Sequence, residues 1–208
     1  MNRSRTTQAA VKKEIIPAQT KERVRDRIMR TASALFYCRG IHAVGVDAIA
    51  SEAGTNKMSF YRNFSSKDEL VAQYLREAEA EAWGWWDETV AAHAGDPRAQ
   101  VEALFGLLFK KTCTEGSRGC ALANAAVEIT DADHPARPII EKYKADMRRR
   151  FGGLAREMHA RDADALGDAL MLLWEGSYLS RLTCHSEHGP AENAAKAART
   201  LIAAYTSP

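Results

Sequence analysis

Cysteine is scarce and unpatterned in this chain of 208 residues: Cys38, Cys113, Cys120 and Cys184 form no CxxC pair and no zinc-ligand spacing. Free thiols are therefore the default, with neither a disulfide scaffold nor a metal site expected. No apolar run approaches the roughly 20 residues needed to span a bilayer. The opening stretch MNRSRTTQAAVKKEIIPAQ lacks the apolar core and cleavage pattern of a signal peptide, so a cytoplasmic protein is expected. HExxH, paired-carboxylate and phosphate-loop motifs are missing too, which argues against an enzyme and against any cofactor. No convincing period-2 strand and no internal repeat occurs. What remains is helix.

Helical periodicity runs almost throughout, broken at Gly40, Gly54, AGDP (94–97), TEGSRG (114–119), TDADHP (130–135) and HSEHGP (185–190). The breaks delimit about nine helices in an all-α fold. From about Thr20 to Arg39, Val24, Ile28, Thr31, Leu35 and Phe36 recur at three- and four-residue steps as one apolar stripe. Short helices follow over 46–53 and 56–64. Ser66 with Glu69 then reads as a capping box opening a helix to about His93. Later helices are expected near 98–114, 120–129, 136–160, 163–184 and 190–205.

Charge is unevenly spread. Residues 1–70 carry 13 Lys/Arg against 7 Asp/Glu, whereas residues 71–208 carry 16 against 20. A basic head on an acidic body points to a polyanion as the head's partner. The division expected is a basic arm over 1–19, a small basic head over 20–65 and a larger acidic all-α body over 66–208.

The two short helices about Gly54 fit a helix-turn-helix, in which the second helix enters the major groove. Phe60 and Phe64, at i and i+4, anchor inward, leaving Asn56, Lys57, Ser59 and Arg62 outward. Asn suits adenine, and Lys or Arg suits guanine or phosphate. The Tyr61 hydroxyl reaches for a phosphate. Lys67 opposes the dipole of the following helix, a placement that makes sense with an external phosphate as partner. Alone, the pattern also fits a helical hairpin with no ligand.

The spacing of the whole segment resembles the TetR family of transcriptional regulators. Gly40, Ala43, Val46, Ile49, Ala50, Ala53, Gly54, Phe60, Tyr61, Phe64, Lys67 and Leu70 stand in the family's register, over residues 24–75. The resemblance implies that Asn56 to Arg62 is the recognition helix, with Tyr61 and Lys67 on phosphates. The DNA-facing set is then Gly45, Val46, Thr55, Asn56, Lys57, Met58, Ser59, Tyr61, Arg62 and Lys67. Three positions depart from the family: Val44-Gly45 replace a Thr/Ser at the start of the bracing helix, Thr55-Asn56 replace Val-Ser, and Met58 stands where glycine is common. Met58 brings an apolar side chain within reach of a thymine methyl. Arg3, Arg5, Lys12 and Lys13 of the arm are candidates for further DNA contacts.

The resemblance further implies a homodimer on a palindromic operator and an effector cavity in the body. Leu166, Leu170, Leu173 and Trp174 form one stripe, and Ala194, Ala197, Ala198, Leu201, Ile202 and Tyr205 another. Both lie within 163–205, where the partner is expected. Phe105, Phe109, Tyr143, Met147 and Tyr178 are the implied cavity walls, joined by Trp86 and Trp174 from the aromatic cluster. They suit a small, mostly apolar or aromatic effector. Cys120 opens a helix, where the dipole and nearby Arg118 favour a reactive thiol, with Cys113 as a resolving partner. Its plainer role is a small buried apolar residue. The function expected is a ligand-responsive transcriptional regulator, with repression as its expected sense. The alternative is a helical adaptor or small-molecule-binding protein without DNA binding, which would not need a basic head.

Overall fold

The computed structural model describes residues 22–112, 116–184 and 189–207. The basic arm with its Arg3, Arg5, Lys12 and Lys13, together with Cys113, His185 and His188, lies outside them. Among the described residues every regular element is helical. They are α1 (Val24–Arg39), α2 (Val46–Glu52), α3 (Lys57–Asn63), α4 (Lys67–Ala91), α5 (Pro97–Thr112), α6 (Ala121–Glu128), α7 (Arg137–Glu157), α8 (Ala163–Thr183) and α9 (Ala194–Thr206), the last led in by a short 3-10 turn at Pro190–Asn193. No helix among these is long and apolar enough to cross a membrane.

α1 begins later than its periodicity suggests, and Val24 is exposed rather than part of the apolar stripe. Ile28, Met29, Ala32, Leu35 and Phe36 form that stripe and pack on Ile49, Ala53, Phe60 and Phe64 from α2, α3 and the turns after them. α2 stops in a Schellman arrangement. The Thr55 N–H donates to the Ala50 carbonyl at 2.9 Å and the Gly54 N–H to the Ser51 carbonyl at 3.0 Å. Gly54 sits at φ +61, the left-handed conformation this closure requires.

The capping box of α4 forms with one change. The Glu69 N–H donates to Ser66 Oγ at 3.0 Å, as the pattern demands. The Glu69 carboxylate, however, accepts from both the backbone N–H and the hydroxyl of Ser65, each at 2.6 Å. Ser65 offers two donors to one oxygen, and these bonds hold the Glu69 carboxyl below its ordinary range.

In the body, α5 is central, with Val101, Leu104, Phe105 and Leu108 fully buried. α7 and α8 lie so close that a Cβ built on Gly167 would sit 2.8 Å from the Gly152 Cα. Leu166, Leu170 and Trp174 face this seam, while Ala194, Ala198 and Ile202 of α9 bury against the same subunit. The stripes expected to meet a partner subunit are thus largely interior. They are apolar because they close the subunit's own core. The apolar side chains α8 leaves outside are Leu172 and Leu179, 72% and 62% exposed. The buried residues form one continuous cluster from Ile28 to Ile202, so head and body share a core.

Candidate nucleic-acid interface and effector cavity

α3 turns its two sides to different tasks. Phe60 and Phe64 are buried, at 0% and 1% exposure, while Met58 is 66% and Tyr61 50% exposed. At about 100° per residue, Met58 and Arg62 lie on the side of the helix directly away from Phe60. Asn56 is not the first residue of the helix but its N-cap, its Oδ1 accepting from the Ser59 N–H at 2.9 Å. That carbonyl oxygen is therefore engaged within the head, leaving the amide N–H groups outward. Lys57 Nζ meets Asp47 of α2 at 3.1 Å, both exposed. The Arg62 guanidinium leans on Met58 Sδ at 3.5 Å. The Tyr61 ring stands edge-on to Phe60, centroids 5.3 Å apart, which aims it off the end of the core.

Around this helix, Gly45 is the exposed N-cap of α2 and Val46 its half-buried first residue. With no side chain, Gly45 leaves α2 without the hydroxyl cap a Ser or Thr would provide. Thr55 and Ser59 are half-buried. Lys67 is the first residue of α4, half-buried, and desolvation pushes its ammonium below its ordinary pKa. Both the dipole and the burial disfavour its charge, so an external anion would relieve it.

A cavity of about 490 Å³ opens between head and body. Its walls include Ser33 and Tyr37 of α1, Tyr74 and Trp85 of α4, Cys120 at the start of α6, Tyr143 of α7 and Tyr178 of α8. Cys120, Tyr143 and Tyr178, named from the sequence, come together here. Trp86, Phe105 and Trp174 instead form a closed aromatic core with Phe151, at 0–3% exposure. Met147 lines a separate void of about 20 Å³ behind Cys120 and Tyr178. Phe109 is half-buried away from both. The adjacent tryptophans divide as their 100° offset demands. Trp86 enters the core, while Trp85 stacks on Trp174 at 17° and borders the cavity.

Burial, with neighbouring Cys120, holds the phenols of Tyr74, Tyr143 and Tyr178 above their ordinary pKa, so they remain neutral hydrogen-bonding groups. Glu81 and Lys111 are the charged residues on the wall, and Lys111 Nζ lies 5.3 Å from the Trp85 ring centroid. Cys120 is half-buried at the N-cap of α6 and caps nothing with its thiol. The expected help from Arg118 goes elsewhere. Its guanidinium donates to the Cys38 carbonyl at 2.6 Å, closing the end of α1.

Tyr37, α1 and α6 join cavity to head, a link the sequence did not signal. The Tyr37 hydroxyl accepts from the Arg118 N–H at 2.8 Å and donates to the Gly119 carbonyl at 3.1 Å, while its ring lines the cavity. At the other end of α6, Glu128 Oε2 accepts from the His42 N–H at 2.9 Å. The Glu128 carbonyl accepts from His42 Nε2 at 2.7 Å. Gly40, at φ +90, makes room for that carboxylate, since a Cβ would lie 3.1 Å from it.

A tri-helical head with a short outward-facing second motif helix, joined to a cavity-bearing helical body, defines a helix-turn-helix transcriptional regulator rather than an enzyme. Residues 28–74 match the family described as bacterial regulatory proteins, tetR family. The uncharacterized HTH-type transcriptional regulator YxaF of Bacillus subtilis is 29% identical over 171 residues, 76% of this chain and 85% of that protein. The HTH-type transcriptional repressor DhaR of a Mycobacterium species is 24% identical over 166 residues, 75% and 81% of the two chains. The crystal structure of a TetR-family regulator from Streptomyces coelicolor superposes with a TM-score of 0.80 at 26% identity, covering 88% of this chain and 96% of that one. The head, residues 28–74, thus belongs to the TetR family of transcriptional regulators, and the chain as a whole is similar to that family's members.

Proposed function

We propose that this regulator is a repressor that holds a palindromic operator as a homodimer and leaves it when a small effector fills the cavity. The observation that carries the reading is the shared wall: Tyr37, on the head's first helix, lines the cavity and is bonded to the 118–119 loop that leads into α6. An effector that displaces the Tyr37 ring or the start of α6 acts at once on the head. The other end of α6 grips the turn before α2 through Glu128 and His42. Release needs only that the effector favour the displaced head, and a coupling of about 1–3 kcal/mol is typical.

At the DNA, α3 takes the major groove, and Tyr61, Lys67 and the start of α2 at Gly45 and Val46 take phosphates. Thr55, Asn56, Lys57, Met58, Ser59 and Arg62 face the bases or the adjacent backbone. The effector is small and mostly apolar or aromatic, with polar groups to meet the neutral phenols. A thiol-reactive effector would meet Cys120. The dimer forms within residues 163–205, where Leu172, Gly176 and Leu179 fall on one face of α8 at i, i+4 and i+7 and a Cβ at 176 would meet nothing. Two heads per dimer give the contacts that one short helix lacks.

Lys67→Ala separates this reading from an idle head. Removing a cation from the first turn of α4 should raise stability by about 0.3–1 kcal/mol. The same change should weaken binding to every duplex and lower the slope of log affinity against log salt by roughly 1 for each phosphate no longer neutralised. Tyr61→Ala should also weaken all duplexes alike. Unchanged binding in both variants would refute the assignment of the head.

A further inference from the structure

We infer that Met58 reads the 5-methyl group of a thymine in each operator half-site, so that this chain's sequence preference is written partly in an apolar contact. The inference rests on α3 lying in the major groove. It follows from what the other side chains of the helix are doing. The Asn56 oxygen caps the helix, Lys57 is paired with Asp47, and the Arg62 guanidinium rests on Met58 Sδ. Phe60 and Phe64 are in the core.

Met58 thus presents a thioether, 66% exposed, on the side of α3 turned away from Phe60. A single exposed methionine is ordinary on a protein surface, but on the side of α3 that faces the groove its apolar end meets whatever the base edges offer. The major groove presents one apolar group, the thymine methyl, and a flexible unbranched side chain adapts to its position. Arg62, lying alongside Met58, is carried to the neighbouring base or phosphate by the same contact.

Replacing thymine by deoxyuridine deletes that methyl and nothing else. A duplex recovered by selection from a random-sequence pool would be remade with each thymine replaced singly by deoxyuridine. Wild-type protein should lose affinity roughly four-fold at one symmetry-related position per half-site, the worth of one buried methyl. Met58→Ala, an exposed change that leaves the core intact, should bind thymine and deoxyuridine duplexes alike at that position. Tyr61→Ala should keep the wild-type discrimination while binding both more weakly. Methyl sensitivity that persists in Met58→Ala, or its absence at every thymine, overturns the inference while leaving the groove placement standing. Failure to recover any duplex sinks the groove placement itself, and this inference with it.

Discussion

The close approach of α7 and α8 gives a sharp stability test. Gly167 of α8 meets Gly152 of α7 backbone to backbone, so a Cβ at 167 would stand 2.8 Å from both the Cα and the N of Gly152 and 3.3 Å from the Phe151 carbonyl carbon. Ordinary contact begins at 3.4 Å, so α8 must retreat by 0.6 Å, and backbone atoms cannot rotate aside as a side-chain tip would. The retreat loosens Leu166, Leu170 and Trp174 where they bury against α7. Overpacking of this kind costs about 1–3 kcal/mol. Alanine's better helix propensity returns about 1 kcal/mol, leaving Gly167→Ala destabilised by up to roughly 2 kcal/mol. For a chain of this size the thermal midpoint should fall by up to about 8 °C at fixed protein concentration. Gly153 supplies the control. It lies one residue from Gly152 on the same helix, and a Cβ there would meet nothing within 4 Å. Gly153→Ala should therefore raise stability by about 0.5–1 kcal/mol. The two variants, unfolded in parallel by heat and by urea, should move in opposite directions. If Gly167→Ala shifted upward alongside Gly153→Ala, close approach would not be what fixes glycine at 167.

Two other perturbations probe the head and the cavity. Gly54→Ala meets no clash but must hold φ near +61, so it should cost about 1–2 kcal/mol in urea unfolding. An unchanged midpoint would mean that the turn closes in another conformation. The folded-state pKa values of Tyr74, Tyr143 and Tyr178 are raised, so their contribution is complete below the ordinary value of 10 and is lost as pH climbs above it, where the unfolded chain ionises first. Alkaline titration should therefore withhold three of the six phenolates until far-UV circular dichroism reports unfolding. Smooth ionisation of all six in the folded protein would refute their burial.

The head was readable because each of its determinants is local. Ile28, Leu35, Phe60 and Phe64 announce their faces by spacing, Gly54 announces its turn, and Ser66 announces the start of α4. Even the errors there are small and chemical: the Asn56 amide is at once a cap and a candidate base reader, and spacing alone cannot say which. The body is a different problem. A run such as WGWW carries three large rings of nearly equal apolarity, and only the positions of α7 and α8 decide that Trp86 is core while Trp85 borders a cavity. The stripes on α8 and α9 are apolar on spacing grounds whether a second subunit or α5 and α7 cover them.

Tyr37 shows most clearly why part of the site was hidden. In sequence it belongs to α1, the helix that braces the head, and nothing in its neighbours marks it as unusual. Its role comes from residues 81 and 82 positions away, the Arg118 N–H and the Gly119 carbonyl. Those groups are backbone, so no side-chain pattern could have named them. The same holds for His42 and Glu128, 86 positions apart, one of whose two bonds ends on a carbonyl. The bonds between the cavity wall at Tyr37 and the 118–119 loop thus end on main-chain groups, which sequence variation at 118 or 119 can alter only indirectly. Gly40 is the exception. A side chain there would meet the Glu128 carboxylate as well as strain its positive φ, so the latch depends on a glycine that first reads as a mere helix stop.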